Sequence, residues 1–529
     1  MSVPRTVRRL SIAALAVIVC VGLAACSGKS SSPKSSASSG SGASSAPHAL
    51  TIATSFAVDD LDPIENGYWG NELGYSELLM KPQVSGTVTP WLLKSLTNTS
   101  PTTWVLTLND GITFQDGKPL DATALIACMQ YQVGQNSSIP AALPGITLTA
   151  TGANQVTLTT SAPVPDVPFI LGDESFFIIY DQAAYLAAKG SPAKLIAAKL
   201  YTGPYVVTSN TPQTMTMTPN PTYWDGKPAL SGVTIKFITD AQARILAVQH
   251  GEADIALYNP TTAAKTLKGR TDSYFDTGTP RGPTFQLMMN EHQAPFNDVN
   301  VRKAIQASID YAQIATQVFS GLYTQSTGMY AASAPYAVAT QKTDTAAAGK
   351  LLDAAGYTLS GGTRSKDGKP LTFTLDTYAQ QPDSGTLAIA VQSQLKALGI
   401  DANITQVPDI DAAIKNPTGW TAAIEGNGST SFSGDPITPL IDDFTTKGAD
   451  NQSGIADPTL DGLVTTLAST LDQNTTNSLL RQTQQRIGDN AYVIFLGQRL
   501  PAVVAGPAWK NYPVPAANLW VGATTAPKS

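Results

Sequence analysis

The sequence predicts a mixed α/β fold of two lobes, on three observations. Segments of strand character alternate irregularly with helical ones, and no repeat recurs at the periods of solenoids or propellers. The second half runs helix, strand, helix, strand, whereas the first is richer in strands, which suits two distinct lobes. At 529 residues, with 42% hydrophobic and 14% charged side chains, the chain can bury more core than one ordinary domain holds.

Residues 50–56 read as the opening strand. Residues 104–108 and 112–114 flank Asn109-Asp110-Gly111, residue types that tolerate positive φ, and this predicts a hairpin; Asp116-Gly117 gives a second turn directly after. Asp240 is placed to cap a helix over 241–250 that Gly251 closes. Asp298 or Asn300 caps another, with Val301, Ile305 and Ile309 on one face. Helices over 346–355 and 387–398 end before Gly356 and Gly399, and strands over 371–377 and 400–407 alternate with them. Gly278-Thr279-Pro280-Arg281-Gly282-Pro283 breaks any regular element, so the boundary between the lobes falls there.

The first 48 residues carry a different message. Arg5, Arg8 and Arg9 precede the apolar run 10–23, and Leu23-Ala24-Ala25-Cys26 follows, the layout of a secretory signal over residues 1–25. The run is short of the roughly 20 residues that span a bilayer as a helix. Leu-Ala-Ala-Cys resembles the bacterial lipobox, which implies lipidation at Cys26; plain cleavage at a small-residue site is the alternative. Residues 27–47 hold 11 serines in 21 positions with almost nothing apolar, and 26–48 therefore read as a lipidated tether. Such a chain reaches roughly 25 Å, enough to keep a globule near a membrane while it reorients.

Composition excludes several functions. Lys+Arg number 33 against Asp+Glu 39, and without the signal 30 basic residues face 39 acidic ones, so nucleic acid is not a partner. Of Cys20, Cys26 and Cys128, one lies in the signal, one would carry lipid and one is alone, which rules out a disulfide within the mature chain. Cys128 sits in an apolar stretch and reads as a buried small hydrophobe. Beyond the tether only His250 and His292 remain, poor material for a nucleophile's base or for a bare metal site. His250 ends a helix, where the dipole favours a cation. Ser-x-x-Lys occurs three times without a later Lys-Thr-Gly, and neither G-x-S-x-G nor H-E-x-x-H is present, so the chain is read as no enzyme and no cofactor is assigned.

Several stretches, in order, carry a resemblance. Pro90-Trp91-Leu92-Leu93 precedes Gly111-Ile112-Thr113-Phe114-Gln115-Asp116-Gly117-Lys118-Pro119-Leu120. Then come Thr202-Gly203-Pro204-Tyr205, Asn220-Pro221-Thr222-Tyr223-Trp224, Gly251-Glu252-Ala253-Asp254, and Phe296-Asn297-Asp298 with Val301-Arg302-Lys303-Ala304. Together they resemble the extracytoplasmic solute-binding proteins of family 5, the peptide, oligopeptide and nickel receptors of ABC importers. Two departures stand out: Gln115 replaces a frequent His, and the usual Tyr-Pro-Asp-Pro appears only as Gly434-Asp435-Pro436.

The resemblance implies a type II, cluster C-like periplasmic-binding-protein clamshell with mixed sheets. Lobe I would span 49–280 with an extra subdomain at about 85–190, lobe II 281–488, and 489–529 would return to lobe I. The chain would be a monomeric, lipid-anchored receptor outside the cytoplasm, passing short peptides to a membrane permease; a metal chelate, siderophore or sugar is the alternative cargo, and a hydrolase the more remote reading. By resemblance to the dipeptide branch, Asp435 anchors the peptide amino group, its other reading being an Asp-Pro turn. Gly428, Ser429 and Ser431 suit backbone contacts with a ligand or a plain surface loop. Tyr68, Trp69 and Trp420 line the cleft or fill core, and Arg281 meets a carboxylate or is an exposed loop arginine.

Overall fold

The strand over Ala49–Thr54 is the centre of the first lobe. Its Leu50, Ile52 and Ala53 are fully buried, the pattern of a strand covered on both faces. It pairs in parallel with Gly232–Phe237 on one side and Ile255–Ala256 on the other, Ile52 lying opposite Ile235 and Ile255. In the computed structural model, residues 48–83, 87–278, 284–332, 334–427, 435–515 and 518–527 are described.

Among these residues the first sheet has seven strands, in the order Tyr274–Thr277, Ala502–Ala505, Ile255–Ala256, Ala49–Thr54, Gly232–Phe237, Thr214–Pro219, Tyr205–Asn210. The second sheet has six, in the order Tyr323–Thr324, Val493–Arg499, Thr284–Met289, Ala422–Asn427, Thr372–Tyr378, Asp401–Val407. The chain passes from the first sheet to the second between Thr277 and Thr284, and returns between Arg499 and Ala502. Residues 493–499 still belong to the second sheet, because Val493, Ile494 and Phe495 pair with Met288, Leu287 and Gln286. The two sheets are thus joined by two crossings of the chain.

A third unit hangs from the first lobe. Leu93–Ser100, Thr103–Leu108, Gln155–Thr159 and Thr147–Gly152 form an antiparallel sheet covered by the helix Ala122–Val133, with a core of its own that includes Leu106, Leu125 and Leu158. Here the expected hairpin is corrected. Thr103–Leu108 pairs with Leu93–Ser100 and Gln155–Thr159, while 112–120 closes on itself through a Thr113 to Pro119 bridge. Gly111 and Gly117 do take the left-handed φ, 76° and 91°, that the turn residues announce.

The helix ends follow from their caps. Asp240 accepts from Ala243 N at 2.7 Å, Asp298 from Asn300 N at 2.9 Å and Asp344 from Ala347 N at 2.9 Å, opening Ala241–Gln249, Val299–Ser308 and Thr345–Ala354. Each bond satisfies one of the amides that the first turn leaves unpaired. Gln115 is a clamp: its side-chain amide nitrogen lies within 3.1, 3.0 and 2.9 Å of the carbonyl oxygens of Tyr75, Gly203 and Tyr205. Glu77, which no motif marks, is buried beneath the Tyr223-Trp224 pair; Tyr223 Oη donates to it at 2.6 Å and Trp224 Nε1 at 3.1 Å. These motif residues build the scaffold. Cys128 is fully buried and burial pushes its thiol up to about 12, so it carries no nucleophile chemistry at neutral pH.

Candidate ligand-binding cleft

In open sheets with parallel strands, ligands sit beyond the carboxyl ends of the strands, where loops diverge. Both sheets present such ends to one another. Ser55, Phe56 and Ala57 follow Ala49–Thr54, Thr239 follows Gly232–Phe237, and Tyr258 follows Ile255–Ala256. From the second lobe come Tyr378, Gln380 and Gln381 at the end of Thr372–Tyr378, Asp409 to Asp411 after Asp401–Val407, and Gly426 within Ala422–Asn427. All of these line one cavity of about 590 Å³, inside the roughly 300–1,000 Å³ usual for small-molecule sites. The lobes meet across it: Ser55 Oγ donates to the Gln380 carbonyl at 2.7 Å, and Phe56 packs against the buried cluster of Tyr378 and Ile410.

One wall is the helix Tyr68–Leu73, which brings Tyr68 and Glu72 to the cavity one turn apart, with Trp69 beside them. It stops at Gly74, φ 86°, whose amide bonds back to Gly70 O at 2.9 Å; a Cβ there would lie 2.8 Å from Val521 O. Phe56 and Trp69 have ring centroids 5.7 Å apart, Phe56 and Tyr258 4.8 Å, and Tyr68 and Trp69 4.7 Å. Aromatic faces therefore make up much of the first-lobe surface of the cavity.

Among the described residues the charged side chains that line it are all acidic. Asp59, Glu72, Asp409 and Asp411 line the cavity, and no Lys, Arg or His does so among the described residues. Burial, reinforced by repulsion from Glu174, holds the Glu72 carboxyl well above the usual carboxylate range, against weaker hydrogen bonds from Asn518 and Trp520. Asp411 is raised by burial and then by Asp409 and Asp450. Behind the wall, burial pushes Glu425 up to about 7 although Gln286 Nε2 donates to it at 2.8 Å.

The first-lobe loops are held from below by Arg244. It is fully buried and donates to the carbonyls of Ile238 at 2.8 Å, Thr239 at 2.7 Å, Leu257 at 3.0 Å and Tyr258 at 2.5 Å. One guanidinium thus satisfies four carbonyls of the two loops that end in Thr239 and Tyr258.

Of the residues marked from sequence, Tyr68 and Trp69 line the cavity, Tyr68 with 42% of its surface exposed. Trp420 does not: it is buried among Met288, Tyr378, Ile410 and Ile414, behind the second-lobe wall. Asp435 is also buried and outside the residues lining this cavity. Its carboxylate accepts from Ile437 N at 2.8 Å, Thr438 N at 3.3 Å and the Thr438 hydroxyl, and burial raises it to about 6. Gly428, Ser429, Ser431, Arg281 and Cys26 lie outside the described residues. Sequence reasoning missed Phe56, Glu72, Tyr258, Tyr378, Gln380 and Asp411. The usable signal was positional, since most of them fall within a few residues of a strand's end. Among the described residues no group of three or more His, Cys, Asp or Glu is arranged to hold a metal ion, and no helix is long and apolar enough to cross a membrane.

Residues 87–450 match the bacterial extracellular solute-binding proteins, family 5 Middle. The chain is 25% identical over 450 residues to the nickel-binding protein NikA of Staphylococcus aureus, across 84% of this chain and 87% of that one. The crystal structure of NikA from Staphylococcus aureus in complex with Ni(L-His)2 aligns with a TM-score of 0.81 at 22% identity, covering 91% of this chain and 100% of that one. The oligopeptide-binding protein AppA of Bacillus subtilis, in complex with a nonapeptide, aligns with a TM-score of 0.74 at 20% identity, covering 90% and 98%. At these identities the two structures establish a shared fold.

Proposed function

Because this chain belongs to the extracellular solute-binding proteins of family 5, the substrate-binding components of ABC importers, we propose that its cargo is a short peptide held between the lobes and handed to a membrane permease. The observation that carries the reading is the cavity of about 590 Å³ at the strand ends, walled by both lobes and lined, among the described residues, by acidic side chains without a basic one. A short peptide brings an ammonium group for an acid, backbone groups for Ser55, Gln380 and Gln381, and side chains for the aromatic faces. Ligand closes the lobes by the contacts that only the closed form makes, of which Ser55 to Gln380 is the protein's own share. The resemblance around Gly434-Asp435-Pro436 assigns the peptide amino group to Asp435; because Asp435 does not line this cavity, we keep that assignment as the alternative to an acid of the lining. The hydrogen bonds from Ile437 and Thr438 hold the Asp435 carboxylate in place.

A metal chelate is the second reading, favoured by the nickel-binding relative that aligns over most of both chains. A chelate carries its own donors, so the scarcity of histidine does not oppose it. Native mass spectrometry of the protein purified without refolding separates the two: released short peptides support the first reading, and a metal-containing small molecule replaces it with the second.

We also propose that Cys26 is lipidated, leaving a monomeric receptor tethered outside the cytoplasm by the serine-rich segment. Cys26→Ser should move the protein to the soluble fraction; retention in the detergent phase would count against it.

A further inference from the structure

The acid on the first-lobe wall is unusual in its surroundings. Glu72 is 5% exposed; Asn518 and Trp520 donate toward its carboxyl, yet its Oε2 lacks a partner in full hydrogen-bond geometry among the described residues. A buried carboxyl oxygen short of a donor is costly, more so in a low dielectric, and the neighbouring acid Glu174 adds to the effect of burial on it. Around it stand Tyr68, Trp69 and Tyr258, whose ring faces are electron-rich, and Asp59, Asp409 and Asp411 share the cavity lining. A buried acceptor short of a donor, aromatic faces and a lining whose described charged groups are all acids ask for the same thing, against the buried guanidinium of Arg499 that acts on Tyr258 and Tyr378. Each is satisfied by an N–H bearing cation: the carboxylate by a charge-assisted hydrogen bond, the rings by cation–π contact, the field of the lining by neutralisation.

We propose that the cavity selects cargo by an organic cation, an ammonium or guanidinium group, seated on Glu72 Oε2 against the rings of Tyr68 and Trp69. This rests on the reading of the cavity as the cargo site, and it is independent of whether the rest of the cargo is a peptide. An anionic or neutral molecule of the same size would leave the acids unpaired and repel or waste the field, so charge is the first criterion of selection and shape the second.

Calorimetry with four probes tests it on the full secreted chain: N-acetyl-Ala-norleucine, which has no cation; Ala-norleucine, with one; Ala-Lys, with two; and agmatine, a cation that is no peptide. The cationic probes are expected to bind at least tenfold more tightly than the acetylated dipeptide. Glu72→Gln, which keeps shape and removes charge, should weaken the tightest cationic probe tenfold or more. Tyr68→Leu, at a position with 42% of its surface exposed, should narrow the preference as well. If agmatine alone binds, and does so through Glu72, the peptide reading fails and the cation site stands. If peptides bind with unchanged affinity in Glu72→Gln, or the acetylated probe matches the cationic ones, the cation site is overturned and the peptide reading stands. Silence from every cationic probe at millimolar concentration also overturns it.

Discussion

Asp383 reaches across the lobe boundary to Thr261. Its Oδ1 accepts from the Thr261 amide at 3.1 Å and from the hydroxyl at 3.2 Å, while Oδ2 takes the Tyr323 hydroxyl at 3.0 Å and stands 3.6 Å from Arg499 Nη1. Asp383 belongs to the first turn of the helix Pro382–Lys396, and Arg499 is the last residue of the strand from which the chain returns to the first sheet. A single carboxylate therefore joins a first-lobe loop, a second-lobe helix and one of the two chain crossings. Replacing it by Ala strands a buried guanidinium and removes the tie, a loss of about 3–5 kcal/mol for a broken buried pair. Asp383→Ala should lower the thermal midpoint clearly and Asp383→Asn less; a midpoint equal to wild type would remove the tie from the account of stability.

Ser55 is a smaller lever on closure. Its hydroxyl makes the 2.7 Å bond to Gln380 O across the cavity, a bond available only when the lobes meet. Ser55→Ala is expected to weaken cargo binding by about 1 kcal/mol, roughly five- to tenfold, with little change in the ligand-free midpoint. Small-angle scattering should show the liganded variant more open than wild type. Equal affinity and equal closure would mean that the contact follows closure without stabilising it.

Stability should fall as pH rises. Burial pushes Asp435 to about 6 and Asp442 and Glu425 to about 7, above the value near 4 of the unfolded chain. Between those values the folded form binds more protons than the unfolded one. Their contribution is complete below about pH 4 and is lost as pH passes through 6 and 7. The ligand-free midpoint should decline from pH 5 to pH 8 at fixed ionic strength, and Glu425→Gln should flatten the curve. A midpoint that rises over that interval would contradict the assignment.

What the sequence made legible was local. The caps Asp240 and Asp298 and the glycines after the helices mark ends that the structure keeps to within a few residues, whereas the cap Asp344 went unmarked. The hairpin at 109–111 does not form because Thr103–Leu108 finds one partner at Gln155–Thr159, far beyond that turn, and no local signal encodes so distant a pairing. The site shows the same division. Tyr68 and Trp69 were found because they follow the first strand. Glu72, Tyr258, Gln380 and Asp411 sit on four separate segments that only the meeting of two sheets brings together. Trp420, an aromatic next to a strand start, is core because its side of that strand faces the Ile410–Ile414 helix.

Gln115 shows how a scaffold residue can govern the cavity without touching cargo. Its side-chain amide is within hydrogen-bond reach of the carbonyls of Tyr75, Gly203 and Tyr205, and its backbone N donates to Tyr201 O at 2.8 Å. Tyr75 follows the helix that carries Tyr68, Trp69 and Glu72, so the clamp fixes the C-terminal end of the cavity wall. Gly203 is packed so closely that a Cβ would come within 2.4 Å of Tyr75 C, and the loop has no room to move toward a substitute. Gln115→Leu removes a shared donor from these carbonyls, of which Tyr75 O keeps Gly203 N at 3.1 Å and Gly203 O keeps Asn220 Nδ2 at 3.2 Å, and should cost about 1 kcal/mol of stability. It should also weaken cargo binding, because Glu72 and Tyr68 lose their fixed position. Gln115→His, which restores one ring N–H to the site, should recover part of both. If the Leu variant loses stability while affinity is unchanged, the clamp serves folding alone, and the cavity wall must be held by the Gly74 cap and its contact with Val521.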